Sequence, residues 1–486
     1  MSSPNNPAPQ TLRRTLSLIT LAWLFGSVWF NATSGTPYTN FAKSLNCSAF
    51  EFGLLAAIPY LASLINIPAS LLTEATGQRK LLFLLGLYGQ RLLWIPIALV
   101  PLYMVHLHGV TRSATLTFLF LILIMQLSGA VGGPAWLSWM GDIVPTRAAG
   151  RYFAARRVWG TFSAIPSALV AGLLLDRYTN TAPLFTSMSW CAAILIVAAL
   201  FGIADIATFH WVPEVRRPPQ KGIHLLQSMR APLHDRNFLR FGAYVATITF
   251  AISFMGQFVT LYILDMLSSN GNPLTHTNTL TQLMVIVAPS VAQLLVFPIW
   301  GRCADRMGKR PLLILAGLGL VPVAVGWCFV TAEHIWLGYV LSALGAAFFA
   351  GVEVANLNLV LELSVPGQSP GSGSSGYIAV NSVIVNLAGC LGGISSGLIA
   401  QSLQNHHFHI ITPFKTFTFY DVLFLLSAVM RLLAIVLFIP FIHESTARPT
   451  HEALRFMTGN IYNNLISAAA QPARLLRSTQ SKLKRG

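Results

Sequence analysis

Charge is scarce in this chain: Asp, Glu, Lys and Arg together make up 9% of its 486 residues. A soluble domain carries about 25%. So little charge cannot cover a water-facing surface of this size, which excludes a soluble fold. Cysteine is scarce too, five in all. Only Cys47 falls in an external loop of the topology set out below, so a disulfide framework is excluded. No Gly-x-x-x-x-Gly-Lys-Ser/Thr run occurs, so there is no visible site for ATP. "GSGSSG" (371–376) satisfies G-x-G-x-x-G in spelling only. No strand or βαβ pattern precedes it, and it reads as a cytoplasmic loop. "NHHFH" (405–409) has no Cys or carboxylate beside it, so no metal is expected. No nucleophile–base–acid set is recognisable. Neither an enzyme nor a cofactor is expected.

What the chain has is apolar sequence. Apolar residues reach 54%, and the mean hydropathy is +0.63. A 30 Å hydrocarbon core needs about 20 apolar residues per helical span. Twelve such stretches occur, near 16–37, 52–72, 81–104, 115–140, 158–176, 186–209, 240–266, 280–300, 312–331, 335–361, 377–400 and 420–442. None alternates apolar and polar residues as outer-membrane strands do. Lipid cannot satisfy exposed backbone groups, so the spans must be helices. Residues 11–30 imitate a signal peptide, but no small-x-small site closes the run. It is kept as span 1.

The net charge of +16 is explained by where it lies. With twelve spans and an inside amino terminus, only Lys43, Arg112, Arg177 and Lys415 fall outside, and Arg91 and Arg431 fall within spans. The rest of the 31 Lys and Arg face inward. That bias places both termini in the cytoplasm. It also makes anionic lipid headgroups the partner of the basic surface, with no need for nucleic acid.

The longest polar interruption, 210–239, divides the spans six and six. It contains Pro213, Pro218 and Pro219, followed by an amphipathic piece near 223–240. The halves repeat. "GQRKLLFLLGL" (77–87) aligns with "GKRPLLILAGL" (308–318) at seven of eleven positions, and the same offset pairs Glu74 with Asp305. "VPTRAAGRYFA" (144–154) matches "VPGQSPGSGSSGYIA" (365–379) at the corresponding later loop. The expected fold is an all-α polytopic membrane protein of two pseudo-symmetric six-helix bundles. The expected boundaries are 1–209 and 240–442 for the bundles, 210–239 for the central loop and 443–486 for a basic tail. Parallel bundles with a site between them near the midplane are a transporter architecture.

"GRCADRMGKRP" (301–311) gathers Arg302, Asp305, Arg306, Lys309 and Arg310. It resembles the loop signature of the major facilitator superfamily, Gly-x-x-x-Asp-Arg-x-Gly-Arg/Lys-Arg/Lys, in its second-half copy. The first-half copy, "SLLTEATGQRK" (70–80), is degraded, with Ser70 for Gly, Glu74 for Asp and Ala75 for Arg. Twelve spans, the central loop and the repeat extend the resemblance along nearly the whole chain.

The resemblance implies a gating latch made of Glu74, Gly77, Arg79, Gly301, Asp305, Arg306, Gly308, Lys309 and Arg310. Gly301 would let helices approach closely at the end of span 8. Asp305 would accept from free N–H groups at the start of span 11. Glu74 would do the same against span 5, with Arg147 or Arg151 nearby. The bland alternative is a positive loop that only sets topology.

The resemblance also implies a cavity lined by spans 1, 4, 7 and 10. On them lie Trp29, Asn31, Gln126, Trp136, Trp139, Gln257, Tyr262, Glu353 and Asn356. An intramembrane carboxylate is costly, so Glu353 is the candidate for proton coupling; a structural, hydrogen-bonded Glu is the alternative. Arg91 and Arg431 suit packing or ion pairing better than solute contact, and Asp205 suits the interface. Span 5 lacks the Gly-Pro-x-x-Gly-Gly run typical of the family's drug/proton antiporters. The expected function is secondary active transport of a small organic solute by alternating access, with protons as the candidate coupling ion. A transporter-like receptor or scaffold is the alternative. The expected setting is a monomer in a cell membrane of the bacterial inner-membrane type.

The charge distribution makes a testable statement. Reporter enzymes fused after Leu225 and after Gln480 are expected to be active only as cytoplasmic reporters. Activity of an external reporter at either site would invert the topology.

Overall fold

A computed structural model describes residues 9–179, 183–214, 229–268, 276–363, 374–406, 416–444 and 447–459. Within them are twelve helices long and apolar enough to cross a membrane. They are α1 (Leu12–Ser44), α2 (Ala49–Thr76), α3 (Arg79–His108), α4 (Arg112–Ile143), α5 (Ala155–Tyr178) and α6 (Leu184–Trp211). Then come α7 (Arg236–Leu267), α8 (Thr277–Met307), α9 (Arg310–Phe329), α10 (Ile335–Leu363), α11 (Gly376–Leu403) and α12 (Phe419–Phe441). A short helix, α13 (Thr450–Gly459), follows. The chain is a multi-pass membrane protein. The twelve expected spans are matched one for one, and most of the helices overrun them, to 33 residues in α1, while α9 keeps 20. The excess over about 20 residues carries their ends past the hydrocarbon. Residues 223–228 of the expected amphipathic piece, 371–373 of the Gly/Ser stretch, most of "NHHFH" and most of the basic tail lie outside the described residues. The rest of the amphipathic piece forms a short helix, Arg230–His234, and the start of α7, and Ser374 onward is helical.

The helices are broken where the sequence permits. α1 bends at Gly35, just before Pro37. α2 breaks at Leu64–Ile65. α8 takes a π turn at Leu283–Val287. Prolines 59, 101, 134, 166, 298 and 322 sit inside helices. Membrane helices tolerate this because neighbours re-satisfy the freed carbonyls.

The described chain divides into two compact units, residues 9–45 with 65–214, and residues 46–64 with 229–459. The boundary differs from the expected one because the first half of α2 groups with the second unit. The cause is small residues. A Cβ added to Gly53 would stand 2.6 Å from the Gly393 carbonyl oxygen and 2.8 Å from the Gly397 nitrogen, both on α11. Lipid tails give helices no hydrophobic reason to associate, so close van der Waals packing of this kind does that work. The same device joins α11 to α7, where Ser253 donates to the Gly389 carbonyl at 2.7 Å.

In the first unit, Ser128 of α4 donates to the Gly86 carbonyl of α3 at 2.8 Å. A core of Ile19, Phe83, Ala135, Trp139 and Phe209 joins α1, α3, α4 and α6. In the second, Trp300 of α8 donates to the Ala347 carbonyl of α10 at 2.8 Å, above a core that includes Phe238, Tyr244, Leu313 and Ala350. Large apolar side chains such as Leu85, Phe120, Leu137 and Val436 are exposed, as a lipid-facing surface requires. The repeat is visible in the backbone. Gly77 and Gly308 occupy equivalent places before α3 and α9, and both have positive φ, 67° and 89°.

Candidate functional site

Each loop of the repeated motif is tied to the end of its own unit. In the first, Arg79 is buried and forms an ion pair with Asp142 at the end of α4. Lys80 donates to the carbonyls of His210 (2.9 Å) and Val212 (2.8 Å), where α6 runs out of amide partners. Gly77 closes α2 in the left-handed conformation, its N–H donating to the Thr73 carbonyl at 3.0 Å.

In the second unit the carboxylate seated at the loop is Glu444, from just beyond α12. Its side chain is fully buried. It accepts from the Lys309 N–H at 2.8 and 2.9 Å and from the Arg310 N–H at 2.6 Å. These are free donors at the start of α9, where the helix dipole favours an anion. Lys309 Nζ reaches Glu362 at 2.6 Å and Glu444 at 3.7 Å. Burial pulls the Lys309 pKa down, but the two carboxylates outweigh it, and the net shift is upward. Lys309 therefore stays charged through the ordinary lysine range, and its contribution, complete below that range, fades only as the pH rises through the raised value. Arg310 donates to the Pro440 carbonyl at 3.2 Å, and Arg306 lies 5.5 Å from the Phe456 ring of α13. Gly308 has no room for a side chain: a Cβ would stand 2.8 Å from Ala447 Cα and 3.0 Å from Glu444 Oε1.

Three latch expectations change accordingly. Asp305 is exposed, and the anion expected of it is supplied by Glu444. Gly301 faces open space among the described residues, so its close-approach role is not seen. Glu74 is exposed as well.

Inside the spans of the first unit, Arg91 of α3 meets Asp205 of α6 at 3.3 Å, both side chains 7% exposed. Arg91 also donates to Gln90 Oε1 at 2.5 Å, and its guanidinium lies 3.3 Å from the centroid of the Trp29 ring. Gly26 and Gly202 make the space: Cβ atoms there would stand 2.7 Å from Asp205 and 2.5 Å from Arg91. Asp205, expected at the interface, is buried because it neutralises Arg91. A second guanidinium, Arg156 of α5, lies 4.4 Å from the Trp23 ring centroid and 5.2 Å from that of Trp136.

The expected cavity residues separate into those engaged in packing and those left open. Trp139 is fully buried, edge-on to Phe83 and tilted against Phe209, and donates to the Pro213 carbonyl at 3.2 Å. Tyr262 is buried against Tyr420 and Phe424, with its hydroxyl 2.5 Å from the Val330 carbonyl. Both are core residues, which corrects their assignment to a cavity. Trp29 is spent on Arg91, and Asn31 is buried with its amide on the Ser27 carbonyl at 2.6 Å. Gln126, Trp136 and Gln257 are half-buried. On α10, Glu353 is exposed. Asn356, one turn away, is half-buried, and its Oδ1 is enclosed without a partner.

Sequence reading missed Asp142, Glu362, Glu444 and Arg156. Each is a charged residue at the end of a span, where charge is unremarkable until its partner is known.

Twelve membrane-length helices, a tandem repeat and charge-tied loops in each half define a polytopic carrier. The family model described as Major Facilitator Superfamily matches residues 18–375 and again 246–476. The chain belongs to that superfamily, and it is a secondary transporter of small solutes. Among curated proteins it is similar to "Multidrug resistance protein MdtG" of Salmonella arizonae, 26% identical over 308 residues, covering 62% of this chain and 69% of the relative. The protein of the same name from Salmonella typhimurium matches with the same identity and coverage. Among solved structures, the nucleoside transporter NupG superposes with a TM-score of 0.65 at 13% identity, covering 90% of this chain and 100% of that one. A bacterial homolog of the human lysosomal transporter Spinster gives 0.61 at 13% identity, covering 93% and 99%. These structural likenesses speak to the fold.

Two outcomes follow from the geometry. Asp205→Asn leaves Arg91 buried without its counter-charge and is expected to cost about 3 kcal/mol. The double variant Arg91→Met/Asp205→Asn is expected to recover much of that loss in thermal unfolding. Strictly additive losses would show the two side chains uncoupled. Glu444→Ala is expected to cost about 1–2 kcal/mol through the uncapped start of α9. It should also expose residues 444–459 to limited proteolysis, whereas an unchanged digestion pattern would remove Glu444 as the tie.

Proposed function

We propose that the chain carries a small organic solute across the membrane by alternating access, coupled to protons through Glu353. The observation that carries the coupling is an exposed carboxylate in the middle third of α10. Hydrocarbon does not tolerate such a group, so Glu353 faces water or a polar partner. The unpartnered Oδ1 of Asn356 three residues on offers an acceptor on the same helical face. Gln126 and Trp136, half-buried on α4, are the first unit's proposed solute contacts, and Gln257, half-buried on α7, is one of the second's. The two motif loops serve as the gating elements, tied through Arg79, Lys80, Lys309 and Arg310 to the ends of their units. The basic inner surface rests on anionic headgroups of a bacterial inner membrane, with both termini cytoplasmic and the protein monomeric.

The name carried by the MdtG relatives favours a drug-like organic solute. The absence of the Gly-Pro-x-x-Gly-Gly run in α5 argues against the family's usual drug/proton antiport.

The test is flux in proteoliposomes under an imposed pH gradient, with solutes first found by thermal-shift screening. Glu353→Gln keeps size and hydrogen bonding but cannot ionise. It is expected to abolish gradient-driven accumulation and to retain solute exchange. Full gradient-driven uptake by this variant would make Glu353 structural.

A further inference from the structure

Arg431 is a buried cation that neither the motif loops nor the Arg91–Asp205 pair uses. It lies within α12 and is 4% exposed. Nη1 donates to the Leu320 carbonyl at 2.8 Å, and Nη2 to the thioether of Met255 at 3.0 Å. Both acceptors are neutral, and the thioether is a weak one. Nε is buried with no partner. Among the described residues no carboxylate pairs with Arg431. Arg91 shows how this chain neutralises a guanidinium in the same environment, with Asp205 at 3.3 Å. Arg431 lacks that counter-charge, and an unpaired cation within hydrocarbon is costly.

The guanidinium also borders open space. A crevice of about 280 Å³ lies among α7, α8, α9, α10 and α12, with Met255, Gly256, Thr260, Trp327, Ser342 and Arg431 in its wall. That is just under the roughly 300–1,000 Å³ of drug-sized pockets. It suits a small acid or the acidic end of a larger solute. The walls are apolar except for the hydroxyls of Thr260 and Ser342 and the charge of Arg431. An apolar recess with one unneutralised donor group at its edge selects a ligand with an apolar body and one negative charge.

We infer that this crevice is an anion site, in which Arg431 supplies the counter-charge to a small monovalent anion such as an organic carboxylate. Identifying that anion with the transported solute rests on the transport reading; the binding itself does not. The anion completes the hydrogen bonding of the guanidinium, and its apolar part lies against Met255 and Trp327. Gly256 keeps the recess open, since a Cβ at that position would meet nothing within 4 Å.

The test uses the full chain in lipid nanodiscs, in a chloride-free HEPES–Tris buffer whose sulfonate is the only other small organic anion and is held at constant concentration. Sodium benzoate is titrated in, and Trp327 is read as the fluorescence difference between the protein and Trp327→Phe. A saturable change is expected. Arg431→Met should weaken it by about tenfold or more, the effect of losing a charge-assisted hydrogen bond. Gly256→Leu keeps Arg431 but fills the recess, and should weaken benzoate to a similar degree. It gives an answer even if Arg431→Met fails to fold, which gel filtration would show. If sodium chloride competes with benzoate, the site accepts an inorganic halide as well. If it does not compete, the site is one for organic acids. Either result supports the inference. No saturable response, or equal affinity in properly folded Arg431→Met or Gly256→Leu, overturns it. Benzoate binding without flux of any solute would sink the transport reading alone. Flux without Arg431-dependent binding would sink this inference alone.

Discussion

Hydrocarbon offers no partner to a backbone amide or to a charge, and most of the polar features described within the spans are arranged around that fact. The backbone answers by closing into helices. The charges answer by carrying their own neutralisation, as Arg91 does with Asp205 and Trp29. The glycines at 26 and 202 follow from the same constraint, since the pair needs volume that any larger residue would take. Arg431 stands out because it does not follow this rule.

The loops show the constraint relaxed at the headgroups. There the charges do not pair deep in a core but tie off helix ends. Lys80 covers carbonyls where α6 ends, and Glu444 covers amides where α9 begins. Both halves fasten equivalent loops to the ends of equivalent helices with a basic side chain on carbonyls, Lys80 in the first and Arg310 in the second, and the second adds a carboxylate on the amides of α9. The fold repeats while the chemistry of the tie does so only in part. The repeated glycines keep their reason in both halves, because the positive φ before α3 and α9 is a backbone requirement that no partner can replace.

The span count, the repeat and the superfamily were legible because they are sums over local sequence: hydropathy, charge placement, and two aligned loops. The site was legible only in part. Trp139 and Tyr262 were assigned to the correct helices but to the wrong faces. A membrane helix is apolar on its lipid side as well as its core side, so periodicity does not say which face is which. Partners were harder still. Glu444 lies 135 residues from Lys309, and Asp142 lies 63 from Arg79. A single sequence carries no signal linking such pairs. Asp305 drew attention because it sits in the motif, while the carboxylate that performs the capping lies past the last span.

The Arg91–Asp205 pair has a consequence for how the protein is made. The two residues are 114 positions apart. A ribosome adding roughly 5–20 residues per second delivers α6 on the order of ten seconds after α3. During that interval α3 enters the bilayer with an arginine that has no acid to meet. Trp29 arrives earlier, on α1, and its ring can shelter the guanidinium in the meantime. The order of synthesis thus makes the aromatic contact available before the ion pair can form.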